Sequence, residues 1–69
     1  MFEVDARGLS CPQPVLMVKN ALAKNEELYS VLVDNAVAAG NVTRFAENHG
    51  YSVSSVRQGD EFTLTLSKQ

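Results

Sequence analysis

The chain has 69 residues, which is read as one domain over residues 1–69. A domain of this size buries about 60% of the surface its unfolded chain exposes. Its formal charge is −2 and its pI is near 5.1, and its Lys and Arg residues (Arg7, Lys19, Lys24, Arg44, Arg57, Lys68) form no basic stripe, which argues against binding nucleic acid directly. One cysteine and one histidine cannot supply an internal disulfide or close a zinc site, so no metal is expected, and a lone thiol suits the reducing cytoplasm.

At the start of the chain, Phe2, Val4 and Ala6 alternate with Glu3, Asp5 and Arg7, the pattern of a half-buried strand. The same stretch lacks the character of a signal or transit peptide, and no apolar run approaches membrane-spanning length. Gly8 marks a turn into a helix expected from Pro12 to about Lys24, with Val15, Val18, Ala21 and Leu22 on its apolar face. Leu28–Val33 is mostly apolar and reads as a central strand, with Tyr29, Val31 and Val33 on one face and Leu28 and Leu32 on the other. Asp34-Asn35 offers a cap for a second helix, expected from Val37 to His49, and Gly50 is placed to end it in a left-handed turn.

Serine-rich Tyr51–Val56 reads as an edge strand. Gln58-Gly59-Asp60 supplies a hairpin turn, and Phe62, Leu64 and Leu66 alternate with polar residues in the last strand. The order is βαβαββ. Right-handed crossovers place both helices on one face, giving an α/β two-layer sandwich with a four-stranded mixed sheet.

Cys11 lies at the first strand–helix junction, where open α/β sheets commonly place their chemistry. A helix start favours the thiolate, the nucleophilic form of sulfur. Pro12 and Pro14 have no N–H to point at the sulfur, whereas Gln13 and Val15 keep theirs. The expected result is a moderate lowering from the free-thiol value of about 8.5. That suits a sulfur that must accept and then release an atom, because nucleophilicity falls with pKa. Arg7 adds positive potential nearby and Asp5 opposes it.

The run Asp5-Ala6-Arg7-Gly8-Leu9-Ser10-Cys11-Pro12-Gln13-Pro14 resembles the Cys-Pro-x-Pro signature of the TusA/SirA family of small sulfur carriers. The resemblance extends to the length, the element order and the position of the motif. It implies a fold like the C-terminal domain of translation initiation factor three, and a cysteine that carries sulfane sulfur as a persulfide. By that resemblance Cys11 is the acceptor, and Pro12 and Pro14 shape the helix start. Gly8 permits a tight approach, while Leu9, Gln13, Leu16 and Met17 are partner contacts. The donor would be a protein such as a cysteine desulfurase or rhodanese, the recipient a second protein, and no cofactor is needed because sulfur is the cargo. Asn41-Val42-Thr43-Arg44-Phe45-Ala46 with Gly50-Tyr51 is more similar to the YedF-like branch, often linked with sulfur or selenium metabolism.

Plainer readings stand beside these. A free cysteine is commonly a small buried hydrophobe, which would leave a non-catalytic interaction or regulatory module. His49 reads as a packing or capping residue, because the second helix runs away from the cysteine. Arg44 and Glu47 have the spacing of a surface pair, and Gly40 inside the helix suggests close packing against the first helix.

Overall fold

The computed structural model describes residues 1–10 and 12–69. Six elements follow the expected order: β1 (Phe2–Asp5), α1 (Gln13–Leu22), β2 (Leu28–Val33), α2 (Ala36–Asn48), β3 (Tyr51–Gln58) and β4 (Glu61–Lys68). The sheet order is β1-β2-β4-β3, with β1 parallel to β2 and β4 antiparallel to both neighbours. Apolar β2 is therefore internal and serine-rich β3 lies at an edge, as their compositions imply. Both crossovers step the same way along the sheet, so a common hand puts α1 and α2 on one face.

Strand alternation decides which residues meet the helices. Val4, Tyr29, Val31, Val33, Leu64 and Leu66 are buried under Val18 and Ala21 of α1 and Ala38, Ala39, Val42 and Ala46 of α2. The opposite face carries Ser30, Leu32, Thr63 and Thr65, which are half-buried. Each fully buried Val or Leu of this core contributes about 1.5–3 kcal/mol relative to exposure.

Burying Tyr29 leaves a hydroxyl to satisfy. It donates to the Ala21 carbonyl at 2.7 Å and accepts from the Glu26 N–H at 2.9 Å. The Tyr51 hydroxyl donates to the Glu26 carbonyl at 3.1 Å, and the two tyrosine rings meet edge to face at 5.7 Å. Together they fasten the α1–β2 loop, and burial pushes the Tyr51 phenol pKa up.

Helix limits follow local chemistry. The Asn35 side chain accepts from the Ala38 N–H at 2.7 Å, capping α2 one residue earlier than the pattern predicts. Gly50 ends that helix with φ +86°, the left-handed geometry glycine adopts without strain. β3 runs on to Gln58, since Gln58 pairs with Glu61 and leaves only Gly59-Asp60 to turn. Gly40 does not serve close helix packing: a Cβ there would meet only the Arg44 guanidinium, at 3.7 Å. Arg44 itself donates to Asn41, one turn earlier in α2. Among the described residues, no helix is long and apolar enough to cross a membrane.

Candidate functional site

Parallel pairing brings the carboxyl ends of β1 and β2 together, with Asp5 opposite Leu32. Antiparallel β4 begins at the same end, with Phe62 opposite Val33. Three segments therefore converge there: the loop after β1, the Asp34-Asn35 step into α2, and the β3–β4 turn. Cys11 belongs to the first of them by sequence. The cysteine itself, and with it the expectation of an open thiol, lies outside the described residues.

The loop before Cys11 is held at consecutive positions. The Ala6 N–H donates to the Leu32 carbonyl at 2.8 Å, extending the β1 pairing by a residue. Arg7 then folds back on Asp5, donating from Nε to Oδ1 at 3.0 Å and from Nη2 to Oδ2 at 2.8 Å. Its Nη1 also reaches Glu61 Oε2 at 3.3 Å, tying the loop to the start of β4. The guanidinium beside Asp5 lowers that carboxyl to a pKa of about 2, while the two carboxylates push Arg7 up. Arg7 and Asp5, expected to act in opposition, are thus bonded to each other. One cation and two carboxylates leave a local charge of −1, so Arg7 is no free positive field.

Gly8 follows with φ +76°, a backbone state that a side chain would strain. Its N–H donates to Asp34 Oδ2 at 2.7 Å, a bond that spans 26 residues. The other Asp34 oxygen accepts from Asn35 Nδ2 at 3.2 Å, and the same Asn35 amide caps α2.

On the far side of the cysteine, Pro12 occupies the N-cap position of α1 and makes no side-chain capping bond. The Gln13 N–H donates to the Ser10 carbonyl at 2.9 Å. One of the two donors spared by the prolines is therefore already spent, and the helix dipole still favours an anion at this start. Pro14 is fully buried, so it packs into the core as well as opening the helix.

The apolar residues around the motif separate. Leu9 and Met17 are half-buried and pack against the core, whereas Leu16 is 42% exposed. Met17 also lines a groove of about 370 Å³ between α1 and the free edge of β1, with Phe2, Val4 and Ala21. His49 caps the far end of α2: its Nδ1 lies 2.8 Å from the Phe45 carbonyl and its ring stacks on Phe45 at 4.1 Å. An imidazole donating there carries its proton on Nδ1. It lies fourteen positions beyond the Asn35 cap, about 20 Å at helical rise. His49 is not brought to the cysteine end.

Two residues that join the site escape the sequence reading. Asp34 registers there only as part of a possible helix cap, and Glu61 is not singled out at all. An acid directly after an internal strand is a signal for the first, but its partner Gly8 is distant in sequence. Nothing local marks Glu61.

Comparison with known proteins bears on this junction. The family model described as Sulfurtransferase TusA matches residues 2–68. A protein of Methanocaldococcus jannaschii named "Putative sulfur carrier protein MJ0990" is 46% identical over 72 aligned positions, covering 99% of this chain and 95% of the relative. The crystal structure of a SirA-like protein from Desulfitobacterium hafniense superposes with a TM-score of 0.87 at 34% identity, covering 97% of this chain and 96% of the other.

Proposed function

Because the chain belongs to the TusA sulfurtransferase family, we propose that it is a sulfur carrier that loads sulfane sulfur onto Cys11 and hands it to a partner protein. The family match that runs through residues 2–68, and so includes Cys11 and its prolines, carries this reading. The secured loop supports it, since a carrier must present one atom in turn to two proteins.

In the first step the Cys11 thiolate attacks the outer sulfur of a donor persulfide. The donor's S–S bond breaks, its inner sulfur leaves as thiolate, and Cys11 becomes Cys11–S–SH. In the second step an acceptor thiolate attacks that outer sulfur and the Cys11 thiolate leaves. Each step exchanges one S–S bond for another, so no external oxidant or reductant is consumed. A moderately lowered thiol pKa serves both directions, because the same sulfur is nucleophile first and leaving group second.

The donor is a persulfide-forming protein such as a cysteine desulfurase or a rhodanese, encountered in the cytoplasm, and the recipient is a second sulfur-handling protein. Leu16 offers the most open apolar contact beside the motif, with Leu9 and Met17 contributing their exposed edges. Residues 1–69 act as one carrier unit.

Incubation with a desulfurase and cysteine, or with a rhodanese and thiosulfate, should add one sulfur atom by intact mass. Cys11→Ser should gain none, and alkylation should block loading. A wild-type chain that stays unloaded with both donors overturns the carrier reading and leaves a non-catalytic docking module.

A further inference from the structure

We propose that Asp34 is a positioning residue for the Cys11 thiol, acting through the Gly8 main chain. A carboxylate accepting a main-chain N–H makes a charge-assisted bond, stronger than a neutral one, and the 2.7 Å separation fits that class. The Asp34 carboxylate is itself oriented. Asn35 Nδ2 holds its second oxygen, and the Asn35 amide is fixed in turn by donation from the Ala38 N–H to Oδ1. A chain of three hydrogen bonds therefore runs from the first turn of α2, through two adjacent side chains, to a glycine three residues before the cysteine.

The described residues flanking the cysteine are held on both sides. Arg7 is tied to Asp5 and Glu61 immediately upstream, and Ser10 is held by Gln13 across the cysteine. Gly8 is the weak point of that span, since glycine has the greatest backbone freedom to lose. Asp34 restrains it.

Electrostatics alone would give Asp34 the opposite role. A nearby carboxylate disfavours a thiolate and raises its pKa. Asn and Ala substitutions separate the two roles, because both remove the charge while only Asn keeps a side-chain oxygen to accept from Gly8.

The test uses the whole chain as wild type, Asp34→Asn and Asp34→Ala, each checked for folding by circular dichroism. Iodoacetamide alkylation of Cys11 across pH is the first readout. Positioning predicts that Asn keeps the wild-type midpoint or falls slightly below it. In Ala the midpoint moves up toward the free-thiol value of about 8.5. Sulfur transfer from Cys11–S–SH should fall by about tenfold or more in Ala, as expected for a misplaced reacting group, and by less than about threefold in Asn. Should Ala fail to fold, the Gly8 amide decides: by NMR it should be downfield and slow to exchange in wild type and Asn. A rapidly exchanging Gly8 amide in wild type overturns the proposal, as do identical alkylation profiles for Ala and wild type.

The transfer measurement rests on the persulfide reading, whereas alkylation and the amide signal do not. A wild type that alkylates as described but never loads sulfur overturns the carrier function and leaves the positioning role standing.

Discussion

Arg7 shows how a residue's neighbours can reverse its meaning. In sequence it is a cation four positions from a thiol; in the fold its guanidinium is engaged by Asp5 and Glu61. The Asp5 carboxyl consequently titrates at about 2 rather than its ordinary 3.8. Because the folded value is the lower one, the ion pair contributes fully above about pH 4, weakens as pH falls, and is lost through the folded value near 2. A carboxyl-carbon NMR titration should show that low midpoint for Asp5, and Arg7→Ala should return it toward the ordinary value. An unshifted Asp5 in wild type would contradict the bonded pair. The residue types around Cys11 were legible in the motif. Their partners were not, since Glu61 lies 54 positions from Arg7 and Asp34 lies 26 from Gly8. Hydrogen bonds of that span have no periodic signature.

Single elements were far more open to reading, because alternation, capping and glycine geometry act within a few residues. α2 illustrates both the success and its limit. Its cap at Asn35 and its left-handed stop at Gly50 follow from residue type, and both occur. Asn35→Ala should lower stability by about 1 kcal/mol by removing the bond to Ala38, measured by urea denaturation. Gly40 needed coordinates, since a helical glycine can signal either close packing or mere tolerance. With only the mobile end of Arg44 within contact of an added methyl, Gly40→Ala should raise stability by about 0.5–1 kcal/mol. A loss instead would mean that a neighbouring helix presses on that position. Leu16→Ala, on the exposed side of α1, should change stability by no more than about 0.5 kcal/mol while slowing sulfur handover.

For the molecule as a whole, topology joined what composition left separate. Strand character implied that β2 was internal and β3 peripheral. The insertion of β4 between them rests on long-range pairing, visible in Val31 opposite Leu64 and Val53 opposite Leu66. Leu64 is completely buried at the middle of that arrangement. A chain of this length has a total stability of roughly 3–10 kcal/mol. Leu64→Ala should remove about 2–5 kcal/mol and leave much of the population unfolded at 37 °C, measured by thermal melting. Strand β1 sends Val4 into this core but lies at the border of the sheet. It has four residues and a neighbour on one side only. Short border strands open more readily than the interior of a sheet. The thiol loop continues directly from this strand, so warming should dull sulfur uptake several degrees before the protein melts. Competence for loading and foldedness would then have separate thermal limits.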